Sequence, residues 1–311
     1  MKKNILITSH LLEDGIQDLQ KEFNIIMPEK GDFSREEMLA HLPYADALIA
    51  AFSYPIHKEE IEIAKRLKII SSYGVGFNHI DIKTAKEKGI FVCNTPYAVL
   101  EPTAELAIAL MHAVARRIYE CDKNIKNKTI QWGMLKNLGI SLYGKTLGII
   151  GLGRIGNAVA KRASVCGMNI IYHNRKPIEN CPYEYKSLND LLTESDVISI
   201  NTPLTSETHH LLNRENLSLM KPTSILINTA RGAIINEKDL VCALKNKQIW
   251  GAGLDVYENE PFINPQLLEL DNVVLVPHIG TETTEARNAI SQECSNNIIS
   301  FFNGQKINSV E

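Results

Sequence analysis

No stretch of the 311-residue chain stays apolar over the roughly 18 residues that a membrane-spanning helix requires. Charge of one sign is also missing. Lys and Arg number 33 against 36 Asp and Glu, a formal net charge of −3, so nothing points to a nucleic-acid or membrane-surface partner. The first residues, MKKNILITSH, carry two lysines and a short apolar run. That run ends at Thr8 with no small-residue cleavage site, and NILITS reads as a buried first strand rather than a leader. The cysteines at 93, 121, 166, 181, 242 and 294 form neither a CxxC pair nor a regular framework. This excludes a disulfide scaffold and predicts reduced thiols in a cytoplasmic protein. The adjacent His209 and His210 have no Cys, Asp or Glu at ligand spacing, so no metal site is expected. Repeats and low-complexity segments are absent as well.

What is present is an α/β alternation, in a chain of ordinary globular composition long enough for two domains. Up to Asn94, strand-like NILIT, NIIM, ADALIAA, KIISSYG and IFVCN alternate with helix-like EDGIQDLQKEF, SREEMLAHL, KEEIEIAKRL and DIKTAKEKG. Apolar strands separated by amphipathic helices predict a parallel sheet covered on both faces. NTP at 94–96 is a break. A long apolar helix is expected from Thr103 to about Ile118, then a polar stretch. The alternation restarts with TLGIIG, NIIYHN, DVISINT, SILINTA, WGAGLDV and NVVLVPHIG as strands, and with RIGNAVAKRASVCG, LNDLLTES and EKDLVCALKNKQ as helices. A closing helix, TETTEARNAISQECSNNIISFFNG, begins just after the last strand and is expected to return to the first unit, leaving it discontinuous. The predicted fold class is α/β, with two Rossmann- or flavodoxin-like domains built on parallel sheets. The expected boundaries are 1–98 with 285–311 for one domain and 99–284 for the other.

The segment from Leu147 to Pro177, LGIIGLGRIGNAVAKRASVCGMNIIYHNRKP, carries the first chemical signal. GLGRIG follows an apolar strand and opens a helix-compatible run, the context that gives a GxGxxG pattern its meaning. Gly151 suits the tight turn, Gly153 a close approach to a pyrophosphate, and Gly156 close helix–strand packing. With Arg154 and Ile155 they form a helix N-terminus that offers amides to phosphate. A dinucleotide fold that grips an unphosphorylated ribose places an Asp or Glu near the end of the next strand. Asn174 stands there instead, followed by Arg175 and Lys176. Asparagine does not repel a 2′-phosphate, and the two cations can pair with one. The expected cofactor is therefore NADP(H), with NAD(H) as the alternative.

Three later segments each follow a strand, where open α/β sheets place ligands. They are LINTARGAIINEKDL with Arg231, GAGLDVYENEP with Asp255 and Glu260, and VVLVPHIG with His278. An arginine, a carboxylate and a histidine are what the reduction of a 2-keto acid needs. The histidine donates a proton near neutral pH, the carboxylate orients it, and the arginine clamps the substrate and polarises its carbonyl.

GLGRIG, NTARG, GAGLDVYENEP and VPHIG, in this order and spacing, resemble the D-isomer-specific 2-hydroxyacid dehydrogenases. YGVGFNHIDI and VCNTPYAVLEPTAELAIALMHAVARR resemble that family's first-domain substrate loop and interdomain helix, so the likeness spans essentially the whole chain. The resemblance implies Arg231 as substrate clamp, His278 as proton donor and Glu260, the glutamate directly before proline, as its partner in place of Glu258. It implies that the amides of Val75 and Gly76 hold the substrate carboxylate and that Asp255 holds the nicotinamide carboxamide. Thr103, Thr202, Pro203, Thr208, Thr229, His278 and Gly280 would contact the cofactor. It further implies an active site in the interdomain cleft, a closing helix on the first domain, and a homodimer formed through the cofactor domain.

The expected substrate is a small 2-keto acid, glyoxylate or hydroxypyruvate, with 2-ketogluconate as a further option. Phosphoglycerate-oxidising members of the family tend to carry an Arg in the loop after the third strand. Here that stretch, IAAFSYPIH, has no Arg or Lys to meet a phosphate. The chain also ends at GQKINSVE, where the family's catalytic core ends, so no regulatory domain is expected. Glu260 argues against the formate dehydrogenases, which pair their histidine with glutamine. An NAD-dependent phosphoglycerate dehydrogenase and a nucleotide-sensing corepressor are the alternatives.

Overall fold

The structure of the protein, a computed structural model, describes residues 2–310. The chain forms two compact units, Met1–Val99 with Thr281–Glu311 and Leu100–Gly280.

The first unit holds β1 (Asn4–Ile7), α1 (Gln17–Glu22), β2 (Asn24–Ile26), α2 (Arg35–His41), β3 (Ala47–Ala50), α3 (Lys58–Ile63), β4 (Ile69–Ser72), α4 (Ile82–Glu87) and β5 (Phe91–Cys93). The strands form a parallel sheet in the order β2-β1-β3-β4-β5. β3 and β4 are buried at every residue, as a sheet covered on both faces demands. Ser34 and Glu37 start α2 with a reciprocal capping box. The segment 13–23, expected as one helix, is a 3-10 turn at Glu13–Gly15 followed by α1. The break is tertiary in origin, because a Cβ on Gly15 would lie 2.3 Å from Ser291 Cβ. Likewise α3 stops at Ile63, and the Leu67 amide turns back to the Ala64 carbonyl at 3.1 Å.

The second unit begins with α5 (Leu100–Ala115), which starts three residues before the expected Thr103. Pro102 is tolerated there because first-turn amides have no intrahelical acceptor. The expected run to Ile118 is interrupted, since Arg117 adopts a left-handed φ of 53° and α6 (Ile118–Lys126) begins anew. Then follow β6 (Thr146–Ile150), α7 (Arg154–Val165), β7 (Asn169–His173), β8 (Glu184–Tyr185), α8 (Leu188–Glu194), β9 (Val197–Ile200), α9 (Arg214–Ser218), β10 (Ile225–Asn228), α10 (Glu237–Lys245), β11 (Gly251–Leu254), α11 (Pro265–Leu268) and β12 (Val273–Leu275). Their parallel sheet has the order β12-β11-β10-β9-β6-β7-β8. One core layer packs Leu147 and Ile149 of β6 against α5 and α7, and the other packs Ile150 and Ile198 against α8 and α10. The strand order reverses between β6 and β9, which makes the carboxyl end of β6 a ligand crevice.

After β12 the chain rejoins the first unit as α12 (Thr284–Phe302), which packs against β4, α1 and the 3-10 turn at 13–15. Ser295 Oγ donates to the Gly15 carbonyl at 3.2 Å.

Candidate active site

The fingerprint occupies the crevice at the end of β6. Gly151, at φ 94°, packs so closely on Asn201 and Thr202 that a Cβ would lie 2.8 Å from their backbone. A Cβ on Gly156 would sit 2.3 Å from the Gly151 carbonyl, so helix and turn approach as only glycine allows. At Gly153 nothing lies within 4 Å of the added atom. The turn is thus open where a pyrophosphate would sit, and the first-turn amides of the twelve-residue α7 follow it. Thr229 Oγ1, buried at the end of β10, has no hydrogen-bond partner among the described residues. An open glycine cradle and an orphaned buried hydroxyl fit a bound dinucleotide.

Asn174 points back into the turn, where its Oδ1 accepts from the Leu152 amide at 2.7 Å. Arg175 and Lys176 are exposed, and Arg175 lies 3.6 Å from Glu207 with both side chains mostly in solvent. Such an exposed pair holds the guanidinium weakly. In the loop after β9, Thr208 Oγ1 donates to the Pro203 carbonyl at 2.7 Å and accepts from the Thr205 amide, closing a turn next to Thr202.

Arg231, Glu260 and His278 follow β10, β11 and β12, three neighbouring strands. His278 Nδ1 and Glu260 Oε2 are 2.8 Å apart, with side chains 27% and 31% exposed, so the pair is neither dry nor fully screened by water. Burial pushes the Glu260 carboxyl up. The hydrogen bond and charge of His278, the Tyr257 amide at 2.9 Å and the charge of Arg231 outweigh it and leave the carboxyl below its usual range. Arg231 is largely buried, which lowers its pKa, and the charge of Glu260 opposes that shift. One guanidinium nitrogen donates to the Ala230 carbonyl at 2.6 Å.

Asp255, the residue expected at the nicotinamide carboxamide, directly follows β11. Its carboxylate accepts from the amides of Ile279 at 2.6 Å and Gly280 at 3.0 Å, and its carbonyl accepts from His278 N at 2.8 Å. These bonds hold His278 at a φ of 55°, a left-handed conformation that costs a non-glycine residue roughly 1–3 kcal/mol. Burial pushes the Asp255 carboxyl up to about 6. Thr103 is buried beside it, within 3.5 Å of where a Gly280 Cβ would stand.

Two features of this unit have no signal of their own in the sequence. A Cβ on Gly232 would lie 1.9 Å from Tyr257 C and 2.4 Å from Glu258 N, so the Arg231 loop rests directly on the backbone that leads to Glu260. Glu258 pairs with His210 Nε2 at 2.8 Å and accepts from the Glu237 amide at 3.0 Å, tying the loops after β9, β10 and β11 together.

In the first unit, Val75 and Gly76 lie just beyond β4. Their carbonyls are tied back by Asn94 Nδ2 at 2.7 Å and Ser72 Oγ at 2.7 Å. Neither amide has an acceptor among the described residues. A cavity of about 520 Å³ opens at the carboxyl ends of β1, β3 and β4, and Arg287 of α12 lines it together with Phe52 and Ser53. The stretch after β3 carries no cation of its own, but the fold supplies one.

The profile of the D-isomer specific 2-hydroxyacid dehydrogenases, NAD binding domain, matches residues 108–280. A glyoxylate reductase of Thermococcus litoralis is 45% identical, over 98% of this chain and 95% of the relative. Among solved structures, a Thermus thermophilus protein is 40% identical with a TM-score of 0.93, over 99% of this chain and all of that one. An NADPH-dependent glyoxylate/hydroxypyruvate reductase from Sinorhizobium meliloti, in complex with NADP and malonate, is 29% identical with a TM-score of 0.87, over 99% and 96%. With two parallel α/β sheets and these relatives over nearly its full length, the chain belongs to the D-isomer-specific 2-hydroxyacid dehydrogenases and is an NAD(P)-dependent 2-keto acid reductase.

Proposed function

We propose that this dehydrogenase reduces glyoxylate or hydroxypyruvate to the D-2-hydroxy acid with NADPH. The observation that carries the reading is the His278–Glu260 pair at 2.8 Å beside a largely buried arginine. When bound, the reduced dinucleotide supplies a hydride to C2 of the keto acid. Charge and proton are handled by the chain's own residues. Glu260, held ionised, can only accept, so His278 Nδ1 carries the hydrogen between them. The ring then delivers a proton from Nε2 to the keto oxygen, and Glu260 stabilises the imidazolium beforehand. Arg231, short of counter-charge in its buried position, clamps the anionic substrate and polarises its carbonyl. The amides of Val75 and Gly76 hold the substrate carboxylate.

The open turn at Gly153 would take the pyrophosphate, with Arg154, Ile155 and Gly156 presenting amides, and Thr229 Oγ1 would gain a partner. Thr103, Thr202, Pro203, Thr208 and Gly280 would line the rest of the dinucleotide site. A side-chain amide at Asn174 with Arg175 and Lys176 beside it supports NADPH, as does the NADP bound by the Sinorhizobium relative. The Thermococcus relative, a glyoxylate reductase, supports glyoxylate. The reading is tested by following NADPH and NADH oxidation side by side with glyoxylate and hydroxypyruvate. A kcat/KM with NADPH greater by about tenfold or more supports it. Preference for NADH overturns the cofactor assignment alone, and silence with both overturns the substrate.

We further propose a cytoplasmic homodimer. Trp132, Met134 and Leu135 are 82, 91 and 76% exposed in the single chain, a cluster that an assembly would cover. Sedimentation at twice 34.8 kDa, shifted toward the single-chain mass by Trp132→Glu, is the expected result.

A further inference from the structure

We propose that the cavity at the carboxyl ends of β1, β3 and β4 selects the distal end of the substrate by charge. Glu282 keeps Arg287 neutralised there, so that an uncharged, hydroxylated tail is admitted and an anionic tail refused. The proposal rests on the 2-keto acid reading above and concerns the end of the molecule away from the reacting carbonyl.

The sheet of the first unit reverses its strand order between β1 and β3, and open α/β sheets bind ligands in the crevice at that point. The cavity occupies this crevice. It also adjoins the carboxylate loop, because Tyr73 lines it and Val75 follows two residues later, within about 7 Å of chain. At about 520 Å³ it is far larger than the two-carbon glyoxylate needs.

Its chemistry decides what fits. The Arg287 side chain is 17% exposed, and its guanidinium lies over the Tyr73 ring at 5.6 Å. Tyr73 OH in turn donates to the Arg287 carbonyl at 2.9 Å. Glu282 takes the guanidinium in an ion pair. Asp32 adds a second carboxylate to the lining, so two anions face one cation. His10 Nδ1 donates to the Pro28 carbonyl at 3.1 Å, so Nε2 is the ring nitrogen left to meet a ligand. Ser9 Oγ and Ser53 Oγ stand 3.5 Å apart. Hydroxyls of a polyol chain find donors and acceptors in such a wall. A phosphate dianion must displace Glu282 from Arg287 and still faces Asp32. The lining thus rejects a phosphorylated tail although it contains an arginine.

The test is the ratio of kcat/KM for phosphohydroxypyruvate to that for hydroxypyruvate, measured in the wild type, Glu282→Gln and Glu282→Gln/Arg287→Met. Removing the carboxylate should raise the ratio about tenfold or more, as expected when a charge-assisted pair becomes available to phosphate, and removing Arg287 as well should cancel the gain. If Glu282→Gln does not fold, Asp32→Asn should raise the same ratio through the other carboxylate. An unchanged ratio in a folded variant overturns the proposal. So does a wild type that already turns over the phosphorylated substrate as fast as hydroxypyruvate. Failure of the wild type with glyoxylate and hydroxypyruvate alike would instead sink the underlying function.

Discussion

Replacing Gly232 with alanine should disable the enzyme although Gly232 touches no reacting group. The new Cβ would stand 1.9 Å from Tyr257 C, 2.0 Å from its carbonyl oxygen and 2.4 Å from Glu258 N. All three are backbone atoms, so no rotamer relieves the overlap. Carbon–carbon contact is comfortable near 3.5–4.0 Å, so the two loops must part by about 1.5 Å. Tyr257 N holds Glu260 Oε1, and Arg231 directly precedes the glycine, so the displacement falls on both the clamp and the partner of His278. A misplacement of about 1 Å costs on the order of 100-fold in rate, and overpacking of this kind costs about 1–3 kcal/mol of stability. For a unit of this size that corresponds to a Tm lower by roughly 2–12 °C. Steady-state kinetics with glyoxylate, alongside a thermal melt followed by circular dichroism, reads both quantities. A folded Gly232→Ala enzyme with kcat within about threefold of wild type would refute the reasoning, because the contact would then be too soft to set the geometry.

Further outcomes follow from the same site. Glu260→Gln removes a charge-assisted hydrogen bond worth about 1.5–3 kcal/mol, so kcat should fall by about 10- to 100-fold with dinucleotide affinity unchanged; equal losses in both would make the residue structural. Arg175→Ala should raise KM for NADPH and leave NADH nearly untouched, and an unchanged ratio would place the 2′-phosphate elsewhere. Asp255 has its folded pKa raised from 3.8 to about 6, so its contribution is present below about pH 4 and disappears as pH rises through 6. Wild-type stability relative to Asp255→Asn should therefore drop by about 2 kcal/mol between pH 4 and pH 7 in chemical denaturation, and a flat difference would contradict the burial argument.

The parts legible in the sequence are those whose signal is local. GLGRIG announces itself because strand, glycines and helix are consecutive, and β3, β4, β9 and β10 announce themselves as short apolar runs. α6 is hidden because it buries no side chain, and its start depends on the left-handed backbone of Arg117. β8 is a two-residue edge strand with no run to notice. At the site, the motif picks out Glu260 and His278, but not why they stand together. That depends on Gly232 meeting Tyr257 across twenty-five residues of sequence, a contact no spacing reveals. Arg287 escapes for the same reason. The loop after β3 lacks cations in its own sequence, and the one that lines its cavity arrives from α12.

The discontinuity of the first unit has a consequence for how the chain matures on the ribosome. Residues 100–280 are contiguous and can close their own sheet as soon as they emerge. The first unit cannot. Its 3-10 turn at 13–15 and the face of β4 wait for α12, and the Ser295–Gly15 hydrogen bond spans 280 residues. Synthesis ordinarily favours the N-terminal domain, but here the N-terminal sheet is the last to be completed. Until residue 302 is available, the β4 surface remains uncovered in the nascent chain, and this interval is when the protein is most exposed to mispairing and to chaperones.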